Sequence, residues 1–127
     1  MARVRKITDD LAIAGQLTLE EFEQLVEEGY RSVVNLRSPD ETGFLRSEQQ
    51  ILEQFGIFYL SHPTTLGDIH PDFIRTLIQQ IIKLPQPIIF HCDSGTRSAI
   101  LALLYIAMKQ GMKTEQAFQK VTELGLL

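Results

Sequence analysis

The residue types best suited to chemistry lie in one short segment, which contains the only cysteine of the chain. Cys92 follows a continuous apolar run and precedes Gly95 and Arg97. A turn between a buried strand and a helix directs backbone N–H groups inward as an anion-binding nest, and the helix N-terminus adds partial positive charge. This field favours a thiolate over a thiol, and an arginine fork can bind an oxyanion. The segment therefore predicts a nucleophilic cysteine in an anion-binding loop.

The predicted loop has one feature that disfavours anions. We expect it to consist of Asp93, Ser94, Gly95, Thr96, Arg97 and Ser98, with His91 supporting it from the strand through hydrogen bonds. Side chains of a nest point outward, so the carboxylate of Asp93 is expected to face solvent. Its charge would still lower the positive potential at the mouth and weaken the binding of highly charged substrates. A simpler interpretation of Cys92, as a small residue of the core, also stays open.

The sequence HCDSGTRS at 91–98 resembles the signature loop of cysteine-dependent phosphatases of the dual-specificity and tyrosine-phosphatase kind. The sequences ITDDLAIAGQ at 7–16 and VVNLR at 33–37 are similar to the phosphatase-like domain of beta-lactamase hydrolase-like proteins. That domain is a compact bacterial variant of the dual-specificity phosphatase fold, and the resemblance covers nearly the whole chain.

The resemblance implies a hydrolase that acts on a phosphate ester through a thiophosphoryl-cysteine intermediate. Cys92 would be the nucleophile and Arg97 would coordinate the phosphate, without a metal or a cofactor. In such phosphatases a hydroxyl at the position of Ser98 hydrogen-bonds the thiolate. The alternative for Ser98 is an ordinary residue in the first turn of a helix.

The length of the loop departs from the phosphatase pattern. Four residues separate Cys92 from Arg97, whereas the phosphatase signature has five. The shorter spacing resembles the loop of rhodaneses, which carry sulfur as a cysteine persulfide. A tighter nest has fewer N–H groups for a tetrahedral phosphoryl group. A sulfurtransferase and a non-catalytic anion-binding module are therefore the alternatives to a phosphatase.

A phosphatase also needs an acid that protonates the leaving oxygen. Phosphatases of this kind take an aspartate from the crossover after the fourth strand, and Asp68 is the candidate there. Asp72 is a weaker candidate, because Pro71 places it in the first turn of a helix, where an acid suits the dipole. His62 and His70 are further alternatives. Asp68 itself has a second interpretation, as a loop or capping residue.

Two charged residues follow another predicted strand at the same edge of the sheet as Cys92. Arg37 would add positive field if it faced the pocket, and Glu41 would orient it. An ordinary surface pair is the alternative. Gln16 follows Ala14-Gly15 and would either reach the loop or close a turn.

The elements that position these residues follow from hydrophobic periodicity, capping signals and turn residues. Strands are predicted at 4–7, 11–14, 32–36, 57–60 and 87–90, and helices at 19–28, 45–55, 71–84, 98–109 and 114–123. Strands that alternate with helices indicate an α/β sandwich with a mostly parallel sheet of about five strands flanked by about five helices. The cysteine-phosphatase-like domain is predicted to span 1–127.

Composition narrows the choice of partners. The 127 residues carry a net charge of −4, with 12 Lys plus Arg against 16 Asp plus Glu. This balance gives no basic surface for nucleic acid or for a membrane. One cysteine excludes an internal disulfide and multi-cysteine metal sites. No signal peptide is recognisable, so we expect a cytoplasmic protein that acts on a phosphate- or sulfur-containing anion. The oligomeric state does not follow from these features.

Overall fold

Apolar runs alternate with helical patterns along the chain, and the computed structural model, which describes residues 4–127, folds these residues into five strands and five α-helices. The strands are β1 (Val4–Thr8), β2 (Leu11–Ala14), β3 (Ser32–Asn35), β4 (Phe58–Ser61) and β5 (Ile88–His91), and the α-helices are α1 (Leu19–Glu27), α2 (Glu48–Gln54), α3 (Pro71–Ile81), α4 (Thr96–Lys109) and α5 (Thr114–Glu123). The predicted α/β class is confirmed. Residues 1–3, which belong to the predicted domain 1–127 and to the N-terminal segment predicted not to be a signal peptide, lie outside the described residues.

The sheet places β5 at its centre, as its continuous apolar sequence predicts. The strand order is β1-β2-β5-β3-β4. Only β1 runs antiparallel within this described sheet; β2, β5, β3 and β4 are parallel neighbours. The mostly parallel sheet predicted from the sequence is therefore confirmed.

Side chains alternate along β5 between two core layers. Ile88, Phe90 and then Cys92 belong to the larger cluster, which they share with residues of α3, α4 and α5. Ile89 belongs to a smaller cluster with residues of α1 and α2. The ring of His91 packs edge-on against Phe22 of α1, with centroids 5.4 Å apart. The side chains of Cys92 and His91 thus lie on opposite sides of the sheet.

Two helix starts differ from the prediction. Helix α2 begins at Glu48 rather than at 45, because the segment before it curves around the buried side chain of Arg37, which donates to the Thr42 carbonyl. Helix α4 begins at Thr96 rather than at 98, because Gly95 adopts a φ of 98° and turns the chain directly into the helix.

Other bounds also move, most of them by one residue. Helix α3 ends at Ile81, and the predicted continuation to 84 forms turns. Strand β4 begins one residue late, because the Ile57 N–H donates to the Leu52 carbonyl and closes α2. Strand β5 begins one residue after the predicted start at Pro87.

The parallel strands end in register at one edge of the sheet. Ala14 and Asn35 both pair with His91, and Asn35 pairs with Ser61. The residues after these strands are thereby brought together, as expected where ligands bind in open α/β sheets. Within residues 4–127, no helix is both long and apolar enough to cross a membrane.

Candidate active site

Cys92 lies at the end of β5 with its side chain fully buried. Its backbone N–H donates to the Ala14 carbonyl at 3.2 Å, which fixes the start of the loop against β2. The Gly95 N–H donates to Cys92 Sγ at 3.1 Å. The sulfur is therefore both a member of the core and an acceptor for the loop.

The guanidinium of Arg97 lies behind the loop in a dense set of acceptors. Its Nη1 donates to Glu41 Oε2 and to the Thr64 carbonyl, both at 2.9 Å, and its Nη2 donates to Glu41 Oε1 at 2.8 Å. This bidentate pair fixes the plane of the fork. The hydrogen bonds from Arg97 lower the pKa of Glu41 to about 2, although burial opposes this shift, and the pair raises the pKa of Arg97.

Asp93 faces solvent, as predicted, but its carboxylate also makes two contacts within the loop. One carboxylate oxygen, Oδ1, accepts the Ser94 N–H at 2.6 Å and Arg97 Nη2 at 3.2 Å. The side chain is still 56% exposed. Burial opposes ionisation of Asp93, but these two donors outweigh it and lower its pKa. The prediction missed this contact because the side chain turns toward Arg97 in the first turn of α4.

The end of β2 packs directly against the loop backbone. The Gln16 N–H donates to the Asp93 carbonyl at 2.9 Å, and a Cβ on Gly15 would lie only 2.6 Å from that same oxygen. Ser98 is buried and its hydroxyl donates to the Ala14 carbonyl at 3.1 Å. In this structure Ser98 therefore ties α4 to β2 rather than donating to the sulfur.

Arg37 and Glu41 do not form an ordinary surface pair, because the Arg37 side chain is only 2% exposed. Its Nε donates to Glu41 Oε1 at 3.2 Å and its Nη1 donates to Gln16 Oε1 at 2.8 Å. Glu41 lies between the two arginines and also accepts the Ser38 N–H at 2.8 Å. Arg37 thus acts on the loop through Glu41, which it orients toward Arg97.

A buried carboxylate that sequence reasoning missed lies under the loop. Glu48 is 1% exposed, and its Oε2 is 2.7 Å from His91 Nε2. It also accepts hydrogen bonds from the Tyr59 hydroxyl, from Gln16 Nε2 at 2.9 Å and from Asn35 Nδ2 at 3.4 Å. Burial would raise the pKa of Glu48, but the hydrogen bond from His91 and those from its other donors hold it below its ordinary value.

One sequence signal could have revealed this contact. Asn35, Tyr59 and His91 are polar residues in strands that are mostly apolar, and buried polar groups require partners. Glu48 is the acid in the following helix that faces them.

The crossover after β4 gives each candidate acid a local structural contact. Asp68 forms a capping box with Thr65, whose hydrogen bonds lower the pKa of Asp68. Asp72 pairs with Arg75 in the first turn of α3. His70 Nδ1 accepts the Phe73 N–H at 3.4 Å and caps the same helix.

The ring of His62 packs edge-on against Phe73 at 5.3 Å. The crossover reaches the loop through Thr64, whose carbonyl accepts from Arg97. No hydrogen bond within residues 4–127 joins Asp68 to the loop.

A cleft of about 570 Å³ runs beside the loop, between the end of β2 and α4. Its walls include Gly15, the backbone of residues 93–96 and Leu126, but neither Cys92 nor Arg97. The thiol therefore does not open into this cleft. Among residues 4–127, no group of three or more His, Cys, Asp and Glu side chains is arranged to hold a metal ion.

The fold defines a class of protein, the proteins that share the tyrosine-phosphatase type of fold. A candidate phosphatase from Neisseria meningitidis superposes with a TM-score of 0.71 at 29% identity, covering 98% of this chain and 89% of that one. Pseudomonas aeruginosa TpbA, solved as a C132S variant with phosphotyrosine, superposes with a TM-score of 0.72 at 17% identity, covering 98% and 75%.

The family model of the beta-lactamase hydrolase-like protein, phosphatase-like domain, matches residues 3–109, and the chain belongs to this family. A beta-lactamase hydrolase-like protein of Xylella fastidiosa is 30% identical over 118 residues, which are 90% of this chain. The chain spans only 27% of the length of that curated relative. The resemblance stated from the loop and strand motifs is thus confirmed at the level of the family.

Proposed function

We propose that this domain is a cysteine-dependent phosphatase that hydrolyses a phosphate ester through a thiophosphoryl intermediate on Cys92. The observation that carries the proposal is the loop geometry, in which the Gly95 N–H donates to Cys92 Sγ at 3.1 Å. An N–H donor and the first turn of α4 stabilise a sulfur anion better than a neutral thiol. The phosphatase fold of the neighbours supports the same assignment.

In the first step the Cys92 thiolate attacks phosphorus. An S–P bond forms as the bond between phosphorus and the oxygen of the leaving alcohol breaks, and that oxygen carries away the electron pair. Arg97 and the loop N–H groups hold the non-bridging oxygens, where negative charge is spread in the transition state. Glu41 and the Thr64 carbonyl hold the Arg97 guanidinium in one orientation, so the guanidinium itself needs little reorganisation in the transition state.

In the second step water attacks the phosphorus of the intermediate. The new O–P bond replaces the S–P bond, inorganic phosphate leaves, and the electron pair returns to sulfur as the thiolate. The proton lost by the water balances the proton gained by the leaving oxygen, so the cycle consumes one ester and one water. Neither a metal nor a redox partner takes part in this scheme.

We propose that the leaving oxygen departs without a strong protein acid. Asp68 is the acid that the chain offers in the crossover, but its capping hydrogen bonds with Thr65 favour the carboxylate. A group that is ionised at neutral pH donates a proton poorly. The enzyme should therefore prefer esters of acidic alcohols, such as aryl phosphates, over alkyl phosphates.

The four-residue loop is the observation that favours a second function, sulfur transfer through a Cys92 persulfide. Among residues 4–127, the Gly95 N–H is the only hydrogen-bond donor to the sulfur, and the Ser94 N–H donates to Asp93 instead. Treatment with thiosulfate distinguishes the two functions. A sulfurtransferase would gain one sulfur on Cys92, which cyanide removes, whereas the phosphatase would keep an unmodified thiol.

The proposal predicts that Cys92→Ser loses nearly all turnover of an aryl phosphate. The serine hydroxyl is not ionised near neutral pH, so the rate should fall by at least about a thousand-fold, a typical loss for a nucleophile. Phosphate release at saturating substrate is the measurement, with Ser47→Ala as the control that keeps most of its activity, because Ser47 is exposed, lies outside the loop and makes no side-chain cap hydrogen bond. Retention of the rate in Cys92→Ser would overturn the proposed mechanism.

A further inference from the structure

The carboxylate of Asp93 takes donors that a bound anion would need. Its Oδ1 alone accepts from the Ser94 N–H at 2.6 Å and from Arg97 Nη2 at 3.2 Å. One oxygen bonded to both a loop N–H and the guanidinium is the arrangement expected of a phosphate or sulfate oxygen in such a nest. The chain therefore supplies its own ligand to part of the anion-binding loop.

The charges around the guanidinium are already balanced in this state. Arg97 pairs with Glu41 and Asp93 and Arg37 pairs with Glu41, so two arginines meet two carboxylates even before the charge of a Cys92 thiolate is counted. Glu41 is held by both arginines and by the Ser38 N–H. An incoming anion thus meets little net positive charge unless a carboxylate moves away.

Asp93 is the carboxylate that can move. Its side chain is 56% exposed, whereas that of Glu41 is 25% exposed and bonded on several sides. Turning the Asp93 side chain into solvent breaks the two hydrogen bonds that its carboxylate accepts within the described part of the chain, and water replaces them. After this movement its negative charge still lies at the mouth of the loop and repels a dianion more strongly than a monoanion.

We infer that Asp93 is a built-in competitor for the anion site and that it biases this site toward singly charged anions. An anion binds only by displacing the carboxylate from Ser94 and Arg97, and the displaced charge then disfavours a second negative charge on the ligand. The inference deepens the proposed phosphatase function by defining the charge class of its ligand, but anion binding tests it without any turnover.

The test compares binding of inorganic sulfate and methanesulfonate, a tetrahedral dianion and a tetrahedral monoanion, at constant ionic strength. Calorimetric titration of the whole chain gives both dissociation constants. Asp93→Ser should bind sulfate about ten-fold more tightly than the unaltered chain, the equivalent of one charge-assisted hydrogen bond. The gain for methanesulfonate should be about three-fold, because a monoanion feels less of the repulsion.

Asp9→Ser is the matched control, because Asp9 carries the same charge on a side chain that is 99% exposed in the turn between β1 and β2. It should change both constants by less than about two-fold, since exposed charges at a distance are screened. Asp93→Asn keeps the shape of the residue but removes its charge. It should also show a larger gain in affinity for sulfate than for methanesulfonate.

The inference is overturned if Asp93→Ser binds sulfate no better than Asp9→Ser, or if both anions gain equally. Its failure is distinguishable from that of the proposed function. Asp93→Ser could bind sulfate more tightly while neither the unaltered chain nor any variant hydrolyses an aryl phosphate. That result would refute the phosphatase but support the inference that Asp93 competes with anions. Hydrolysis that depends on Cys92, together with anion binding that is unchanged in Asp93→Ser, would support the phosphatase and refute the role inferred for Asp93.

Discussion

Glu41 is the residue on which the position of the loop arginine depends. It accepts hydrogen bonds from both terminal nitrogens of Arg97 and from the Nε of Arg37, so this one carboxylate sets the plane of the Arg97 guanidinium. Charge-assisted, bidentate contacts of this kind are stronger than neutral hydrogen bonds and more specific in direction. The catalytic role proposed for Arg97 therefore requires Glu41 in its ionised form.

Glu41→Gln should lower the free energy of unfolding by about 2 kcal/mol at neutral pH, the scale of hydrogen bonds to charged groups. The pKa of Glu41 is lowered from 4.5 to about 2 in the folded state. Its stabilisation is therefore complete above pH 4.5 and is lost as the pH falls through about 2. Urea unfolding at several pH values measures this dependence.

The exposed Glu23→Gln serves as the control for that experiment. The difference in stability between Glu41→Gln and the unaltered chain should shrink as the pH falls from 4.5 toward 2, while the control should follow the unaltered chain. Parallel curves for Glu41→Gln and the unaltered chain would show that Glu41 does not stabilise the fold through its charge.

At the scale of elements, α2 fastens the carboxyl ends of the strands beneath the loop. Glu48 is its buried acid and contacts His91 at the end of β5, while Asn35 and Tyr59 bring β3 and β4 to the same carboxylate. His91 directly precedes the proposed nucleophile, and its Nδ1 lies 3.4 Å from the Cys92 carbonyl. The helix thus supports the loop from the side of the sheet opposite to the sulfur.

Glu48→Gln should destabilise the protein by about 2 kcal/mol, because an amide cannot accept from all the donors around Glu48 and leaves a buried polar group unsatisfied. Glu53→Gln, on an exposed position of the same helix, should change the stability by less than about 0.5 kcal/mol. Thermal and urea unfolding measure both variants. Equal stability of the two would mean that the Glu48–His91 contact does not hold these elements together.

For the whole molecule, the sequence predicts the architecture better than the details of the site. The order of strands and helices follows from local patterns, such as the capping box at Thr18 and the apolar run of β5, which the fold retains. The family follows from the loop and from the strand motifs. The start of α2 does not, because the burial of Arg37 in the preceding loop is a tertiary effect that no local pattern encodes.

The site residues divide in the same way. Cys92, Gly95 and Arg97 are adjacent in sequence, so their proximity could be predicted from one loop. Glu48 and His91 are 43 residues apart, and their contact depends on which side of the sheet each faces. The contacts of the Asp93 carboxylate depend on the rotamer of its side chain, which local sequence does not determine.

The central claim, a covalent intermediate on Cys92, is tested most directly by the mass of the chain during turnover. Acid quenching within milliseconds of mixing the unaltered chain with an aryl phosphate should trap a species heavier by one phosphoryl group. Proteolysis should place that group on Cys92, and Cys92→Ser should lack it. Release of phosphate without an adduct, or an adduct on a residue other than Cys92, would contradict the account.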